Sequence, residues 1–487
     1  MGNNNLKTKV MSGLVWEFSE KTLAQLISIA VSIVLARLLM PEAYGVIALV
    51  MAFVTIADTF VRGGFGASLI QKKNADALDF STIFYFGIFM GIVFYIALFF
   101  IAPLIAGFYE KPELTAVIRV VSLGLLVTGF NSVLYSYISK KLLFRKRFFS
   151  SLGGTLVSAV VGITMAYMGF GVWALVAQYL TDLFLDTVIL FLIVDWRPIC
   201  KFSFTRFKQL SGFGLKKLAS GLIQTGYNEL RALVIGKVYT VKDLSYYNNG
   251  VKFPKVIINN IGLTIDSVLF PTLSNENDNV GTVKAITKRS VRVSAFIMLP
   301  MMVGLVMCAK PLVLVLLTEK WINCVPYLQI ACISQAPLPI FSPNIQAVNA
   351  MGRSDITLKT EIIKKIFGIT VVLLSMNISV MAVALSGILY TLFSIVVDVF
   401  PNRKLIRYGY TEQLSDIAVP LIMSVLMGVC IWFVKFLNFS VWLDLIVRIV
   451  VGISVYLLLS VLFKSDSLQY ILEIIRPRVT RLFKRKS

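Results

Sequence analysis

Residues 80–106 read FSTIFYFGIFMGIVFYIALFFIAPLIA, and no charged side chain interrupts them. A helix needs about 20 consecutive, mostly apolar residues to cross the hydrocarbon core of a bilayer, and this segment exceeds that length. Backbone N–H and C=O groups find no water in lipid, so the favoured structure is a helix, which satisfies them within one segment. The stretch therefore predicts a transmembrane helix.

Comparable apolar stretches recur along the whole chain. Of its 487 residues 57% are hydrophobic and 15% are charged, whereas soluble domains carry about 25% charged residues. The pattern predicts an all-α membrane protein with fourteen transmembrane helices. The predicted spans lie near 12–36, 45–70, 80–106, 114–138, 150–168, 171–194, 213–236, 245–272, 289–317, 325–350, 357–376, 380–400, 415–436 and 441–463.

The basic residues are concentrated in alternate connections between the predicted spans. Positive charge in short loops marks the cytoplasmic side, so we expect both termini to face the cytoplasm. The formal net charge of +22 then reflects topology, and we expect no nucleic-acid partner. Few basic residues fall on the opposite side: Arg37, Lys111, Lys237, Lys242, Lys320 and Lys435.

A weak internal repeat appears at an offset of about 200 residues. IVLARLLMPEAYG at 33–45 aligns with VIGKVYTVKDLSY at 234–246, and SKKLLFRKRFF at 139–149 corresponds to NAMGRSDITLK at 349–359. Both halves start on the same side of the membrane, so they predict two six-helix lobes related by a pseudo-two-fold axis along the membrane normal. The predicted division is an N-lobe, a C-lobe, two extra helices and a basic cytoplasmic tail, at 1–200, 201–410, 411–465 and 466–487.

Several short stretches resemble one known family. They read LARLLMPEAYG at 35–45, IADT at 56–59, SLIQKK at 68–73, VLFPTL at 268–273, EKWIN at 319–323 and VPYLQ at 325–329. The chain resembles the polysaccharide flippases of the multidrug/oligosaccharidyl-lipid/polysaccharide exporter superfamily, and among them the colanic-acid and teichuronic-acid exporters. Residues 236–248 depart from the Gly-containing connection usual in this branch.

The resemblance implies a flippase in the bacterial inner membrane. Its substrate would be an undecaprenyl-pyrophosphate-linked oligosaccharide repeat unit, moved from the inner to the outer leaflet by alternating access and driven by an ion gradient or the membrane potential. The resemblance also implies that the first, second, seventh and eighth spans border the cavity. We expect a monomer that contacts membrane lipids and works with polysaccharide polymerase or export partners.

Charged residues inside these four spans are the candidates for the substrate cavity. Charged side chains are costly at the bilayer centre, so those retained usually face a bundle interior or a water-filled cavity. Lys and Arg suit the pyrophosphate of the implied substrate, although snorkelling and internal ion pairs are alternatives. The candidates are Glu17, Glu20, Lys21, Asp58, Arg62, Lys217, Glu229, Arg231, Lys252 and Lys255.

The sixth span carries two carboxylates, Asp182 and Asp186, which lie on one helical face at the i, i+4 spacing. Because the chain has no histidine, carboxylates are its natural proton carriers. We therefore take Asp58, Asp182 and Asp186 as candidates for ion coupling, with hydrogen bonding to neighbouring hydroxyls as the alternative.

Other classes of function find less support. No P-loop motif occurs and the five cysteines are scattered, so we expect no cofactor, no metal site and no enzyme activity. A multidrug or cation antiporter of the same superfamily should have an acidic cavity. A membrane glycosyltransferase or polymerase would need catalytic acids in sizeable external loops, whereas the predicted external loops are short.

Overall fold

The computed structural model describes residues 23–276, 278–470 and 472–473. The candidates Glu17, Glu20 and Lys21 lie outside these residues. The regular secondary structure in the described ranges is helical. Its α-helices are α1 (Leu23–Leu38), α2 (Pro41–Arg62), α3 (Phe65–Gln71), α4 (Ala77–Phe108), α5 (Glu113–Val121), α6 (Gly124–Lys141), α7 (Phe144–Tyr167), α8 (Val172–Ile193), α9 (Phe204–Val238), α10 (Val241–Asn275), α11 (Val280–Leu316), α12 (Val325–Gln335), α13 (Pro337–Ala350), α14 (Ser354–Ser375), α15 (Val380–Leu405), α16 (Tyr410–Phe433) and α17 (Val441–Leu462).

Within the described residues, ten helical segments are long and apolar enough to cross a membrane. Each overlaps one predicted span, so the chain is an all-helical, multi-pass membrane protein. The count of fourteen stays a prediction. The ten segments are α2 with α3, α4, α5 with α6, α7, α8, α11, the 3₁₀ turn Glu319–Cys324 with α12 and α13, α15, α16 with the turn Val434–Leu437, and α17.

The other four predicted spans correspond to α1, α9, α10 and α14. The described part of α1 is too short to qualify, and the other three helices carry several charged residues. In the middle of α14 two charged side chains turn inward: Lys364 and Lys365 are buried, while Ile362 and Ile366 are exposed. This polarity is the reverse of that of a helix on the surface of a soluble protein.

The second predicted span is broken into α2 and α3 at Gly63 and Gly64. Both glycines adopt left-handed backbone conformations, with φ of 54° and 68°, which cost little only for glycine. A Cβ on Gly64 would lie 2.7 Å from the main-chain oxygen of Gly214 in α9. Glycine is therefore needed here both for the turn and for the close approach of α9.

The described residues divide into two compact units, with the boundary between residues 245 and 246. In the first unit α9 packs against α2, α3 and α4, although the sequence assigns it to the C-lobe. The core of this unit joins α3, α4, α6 and α8 through an apolar cluster that includes Phe65, Phe84, Leu134 and Trp196. The lobe limits at residues 200 and 410 stay predictions.

In the second unit α16 and α17 pack against α11. Phe296, Met423, Ile431 and Tyr456 form an apolar cluster at this junction. Ion pairs add to it, because α11 supplies basic side chains and α16 supplies carboxylates. The pairs are Lys284–Glu412 at 2.8 Å, Lys288–Glu412 at 2.7 Å and Arg292–Asp416 at 2.6 Å.

Candidate functional site

The pair Asp58 and Arg62 lies in the last two turns of α2. Arg62 Nε donates to Asp58 Oδ2 at 2.6 Å, as the i, i+4 spacing allows, and the Arg62 side chain is 48% exposed. Thr59, between them in sequence, donates its hydroxyl to Thr225 of α9 at 3.1 Å. The pair is thus placed beside α9, with its guanidinium still accessible.

Helix α9 carries a polar stripe, which we define as Lys217, Ser220, Gln224, Asn228 and Arg231. The spacing of 3, 4, 4 and 3 residues places them on one face of the helix. The first four are exposed and Arg231 is half-buried. Gln224 Nε2 donates to Asn228 Oδ1 at 3.2 Å. In a helix that crosses the membrane, as the sequence predicts for α9, such a face indicates contact with water in place of lipid.

The predicted residues of α9 occupy different places relative to this stripe. The Cβ of Lys217 lies beside Gly64, which follows Arg62 by two residues. Arg231 lies over the ring of Tyr227 at 5.5 Å, several turns further along α9. Glu229 is half-buried and lies off the stripe. The sequence interpretation missed Gln224 and Asn228 because it searched the spans for charges alone.

In the second unit, α10 repeats this arrangement. Asn248, Lys252, Lys255 and Asn259 follow at spacings of 4, 3 and 4 residues and so share a face. Lys255 and Asn259 are exposed, and Asn248 and Lys252 are half-buried. The helix continues through Pro254, which lies between the two lysines. Lys252 and Lys255 thus belong to a second polar stripe, made of cations and amides.

The carboxylate of Asp186 in α8 is buried and surrounded by hydrogen-bond donors. Tyr135 of α6 donates its phenol hydroxyl to Oδ2, and Asn131 Nδ2, also of α6, donates to the same oxygen at 3.3 Å. The Ser150 hydroxyl of α7 donates to Oδ1. The three donors come from residues that no spacing in the sequence links to Asp186, and the sequence interpretation did not identify them.

Asp182 lies one turn before Asp186 on α8. Its Oδ1 accepts a hydrogen bond from the Ser158 hydroxyl of α7 at 3.3 Å. The structure therefore joins both predicted ion-coupling carboxylates of α8 to hydroxyls of α7. Asp58, the third candidate, is paired with Arg62 on α2.

A buried ion-pair cluster in the second unit was also missed. Lys364 Nζ of α14 lies 2.8 Å and 3.1 Å from the two carboxylate oxygens of Asp398 in α15. The same ammonium contacts Glu361 Oε1 at 2.5 Å. The Lys364 and Asp398 side chains are 5% and 9% exposed, whereas that of Glu361 is 38% exposed. Because Lys364 and Asp398 lie 34 residues apart, no local pattern predicts the pair.

An apolar groove of about 330 Å³ lies between α11, α12 and α16 of the second unit. Its walls include Val303, Ile333, Val425 and Trp432, and every lining residue is apolar. Elsewhere in the described residues, no group of three or more His, Cys, Asp or Glu side chains could hold a metal ion.

The family model and three relatives that this chain matches all concern polysaccharide biosynthesis. A family model described as polysaccharide biosynthesis protein matches residues 34–326. The teichuronic acid biosynthesis protein TuaB of Bacillus subtilis is 24% identical over 75% of this chain and 76% of its own. The lipopolysaccharide biosynthesis protein WzxC of Escherichia coli is 23% identical over 86% of both chains. The succinoglycan biosynthesis transport protein ExoT of Rhizobium meliloti is 24% identical over 71% of this chain and 70% of its own.

Solved structures share the fold at low sequence identity. The lipid II flippase MurJ, in an inward closed conformation, superposes with a TM-score of 0.77 at 14% identity, covering 93% of this chain and 99% of its own. An inward-facing multidrug resistance transporter of the MATE family gives a TM-score of 0.62 at 14% identity, covering 81% and 98%. At these identities the likeness concerns the fold alone.

Proposed function

The chain belongs to the polysaccharide biosynthesis protein family, and from that premise we propose that it is a flippase for an undecaprenyl-pyrophosphate-linked oligosaccharide repeat unit. The family resemblance predicted from the sequence is confirmed. ExoT is named a transport protein and MurJ a flippase. These are transport assignments, so the expectation that the chain is not an enzyme is confirmed as well.

The observation that carries this proposal is the polar stripe of α9. Lys217 and Arg231 supply cations, and Gln224 and Asn228 supply amides, on one face of a helix in a protein whose surface is otherwise mostly apolar. Cations stabilise a pyrophosphate through charge-assisted hydrogen bonds, and amides can donate to and accept from sugar hydroxyls. A lipid-linked oligosaccharide presents both groups together.

The second stripe and the apolar groove fit the same substrate. Lys252 and Lys255 add cations beside Asn248 and Asn259 on α10. The groove bounded by Val303 and Trp432 suits a polyprenyl chain, because burial of each methylene contributes about 0.8 kcal/mol. In this proposal each stripe offers its own unit's cations and amides to the headgroup, and the groove receives part of the tail.

Transport would proceed by alternating access between two six-helix lobes of a fourteen-span monomer, with both termini in the cytoplasm of a bacterial inner membrane. Asp58, Asp182 and Asp186 are proposed to couple the cycle to an ion gradient or to the membrane potential. The polysaccharide polymerase and export proteins are proposed partners that act on the delivered unit.

The same-superfamily alternative is a multidrug or cation antiporter. Organic cations would be bound best by carboxylates and aromatic faces, whereas the exposed charges on the α9 and α10 stripes are cationic. The stripes therefore favour an anionic substrate.

Reconstituted transport tests the proposal directly. The purified full chain is placed in liposomes with a fluorescent undecaprenyl-pyrophosphate-linked oligosaccharide from the source organism, and the rate at which it reaches the opposite leaflet is measured. We expect protein-dependent flipping that Arg62→Ala or Lys255→Ala lowers at least tenfold, since each removes a cation proposed to bind the pyrophosphate.

The matched control is Lys216→Ala, which removes an exposed lysine that lies next to the α9 stripe without belonging to it. It should leave the rate near that of the unmodified chain. Equal rates in all four proteins would contradict the anion-binding path, and no flipping by the unmodified chain would contradict the proposed function.

A further inference from the structure

Each unit contains one aspartate buried at the same place in a corresponding helix. Asp186 lies in α8, the sixth predicted span, and Asp398 lies in α15, the twelfth. Each is seven residues before the last residue of its helix, Ile193 or Leu405. Both side chains are buried. The offset between them, 212 residues, is close to the 210 residues that separate 139–149 from 349–359 in the internal repeat.

The position facing these aspartates differs between the units. In the first unit Gly154 of α7 lies against Asp186, since a Cβ built on Gly154 would be 3.4 Å from Asp186 Cβ. The alignment of 139–149 with 349–359 places Lys364 at the equivalent position of α14. Lys364 is the residue whose ammonium contacts Asp398. One aspartate thus faces a glycine and the other faces a lysine.

The charge balance of the two aspartates differs accordingly. Asp398 has a permanent ammonium counter-ion. Among the described residues, the side chains that donate to Asp186 are all neutral: Tyr135, Asn131 and Ser150. A buried carboxylate without a counter-ion is costly, and binding a cation relieves that cost.

A second observation at Asp186 points to the ligand. Asn131 is 2% exposed, and its Oδ1 has no hydrogen-bond partner, while its Nδ2 donates to Asp186. If Asp186 takes up a proton it becomes a hydrogen-bond donor, and a half-turn of the Asn131 amide presents Oδ1 to accept that bond. The proton then needs one acceptor, Asn131 Oδ1, and no additional ligands.

We propose that Asp186 binds an exchangeable proton, and that Lys364 is a fixed counter-ion occupying the equivalent site of the second repeat. The inference deepens the proposed ion-coupled flippase and rests on its two-repeat arrangement. It assigns the coupling proton to one unit and makes Asn131 and Tyr135 positioning residues for it.

Other charged groups surround the Asp186 site. The Arg147 guanidinium of α7 lies 4.9 Å from the centre of the Tyr135 ring. The Asp58–Arg62 pair of α2 interacts electrostatically with Tyr135 and Tyr179, and Asp182 interacts with Asp186 along α8. Helix α5 also packs against α8, but its Arg119 donates to the main-chain oxygen of Phe99 in α4.

The neighbours of Asp398 leave its counter-ion in place. Helix α14 supplies Glu361 and Lys364, together with Lys365, which donates to Tyr390 at 3.5 Å. From α13 and α16, Asn344 and Gln413 hydrogen-bond to each other and contact Asn402, one turn beyond Asp398.

The remaining neighbouring helices also leave the Lys364–Asp398 pair unchanged. From α12, the main-chain oxygen of Ser334 accepts a hydrogen bond from Thr391 of α15. The two carboxylates of α16, Glu412 and Asp416, are paired with basic residues of α11.

The test is an infrared pH titration of the purified full chain in liposomes, which follows the C=O stretch of protonated carboxyl groups. We expect a buried carboxyl band that is lost in Asp186→Asn and retained in Asp398→Asn. Lys364→Met should add a second titrating band, which disappears in the Lys364→Met, Asp398→Asn double variant. Thr187→Val is the matched control, because Thr187 is buried one residue away and donates to Leu183 on its own helix.

A further variant tests the inference even if Asp186→Asn fails to fold. Tyr135→Phe keeps the ring and the carboxyl but removes one donor to the charged form. Proton binding should become about tenfold tighter, which moves the midpoint up by about one pH unit. An unchanged midpoint would count against the assignment.

Two outcomes would overturn the inference: no band that Asp186→Asn removes, or an Asp186 band that responds to sodium but not to pH. The titration uses no substrate, so it separates this inference from the proposed function. A chain that binds the proton but flips no lipid-linked sugar would contradict only the function. Flipping without an Asp186 band would contradict only the inference.

Discussion

Asp79 is fully buried where α4 begins, and two basic side chains lie beside its carboxylate. Lys72 lies 2.7 Å and Arg206 lies 3.6 Å from its Oδ1. Asp79 Oδ2 also accepts a hydrogen bond from the main-chain N–H of Asp76. These contacts join the end of α3 and the start of α9 to the first turn of α4.

Asp79→Ala should therefore destabilise the protein strongly, because it leaves Lys72 without its buried partner. Removing one member of a buried pair costs about 3–5 kcal/mol, and a clear drop in the thermal unfolding temperature in detergent would register it. Asp195→Ala is the control, since Asp195 is 87% exposed while paired with Lys146 at 2.8 Å, and exposed pairs contribute little. Equal effects of the two substitutions would contradict this account.

At this scale the sequence predicts interactions within one helix better than interactions between helices. The spacing of Asp58 and Arg62 is sufficient to anticipate their ion pair. No such rule connects Lys364 with Asp398, or Tyr135 with Asp186, because these contacts depend on how separate helices pack. Gln224 and Asn228 do lie on one helical face with Lys217, and a search for polar as well as charged residues would have found them.

At the scale of whole helices, too, the sequence predicts each helix better than its contacts with other helices. The ten apolar spans are found where the apolar runs predict them, because lipid selects for apolar surface on every side. Helices α9, α10 and α14 are not apolar enough to count among these spans, since part of each carries polar residues. The inward burial of Lys364 and Lys365 could not be inferred from composition, because it depends on α13 and α15 as neighbours.

The break between α2 and α3 yields a test at this scale. Gly64→Ala should destabilise the protein by more than the left-handed backbone cost of about 1–2 kcal/mol, since its Cβ also meets Gly214 of α9. Gly169→Ala is the matched control: its φ is 80°, but nothing lies within 4 Å of the added Cβ. Thermal unfolding temperatures that fall equally for both variants would show that the α9 contact is unimportant.

The N-terminus of α4 adds a pH dependence. The main-chain N–H of Asp79 and the nearby Arg206 hold the pKa of Asp76 below its usual value. Its stabilising contribution is therefore complete above the unfolded-state pKa and is lost as pH falls through the lower folded-state pKa. Asp76→Asn keeps a capping side chain but cannot titrate, so thermal stability should fall less steeply between about pH 5 and pH 3. If thermal stability fell as steeply with pH in Asp76→Asn as in the unmodified chain, the proposed role of Asp76 would be contradicted.

For the whole molecule, topology is the property most open to direct test. Lys and Arg concentrate in alternate connections, and we expect both termini in the cytoplasm. Alkaline phosphatase fused after Lys486 should be inactive, while green fluorescent protein at the same position should fluoresce. A phosphatase fused after Lys111, in the short connection between α4 and α5, should be active. The reverse pattern would invert the predicted orientation.

The inward polarity of α14 also affects how the protein is made. A helix that enters the bilayer alone would expose Lys364 and Lys365 to lipid, at about 2.5–3.5 kcal/mol for each charge. Asp398, the carboxylate that neutralises Lys364, is synthesised 34 residues later. We therefore expect α14 and α15 to enter the membrane together as a hairpin, with the Lys364–Asp398 pair already formed.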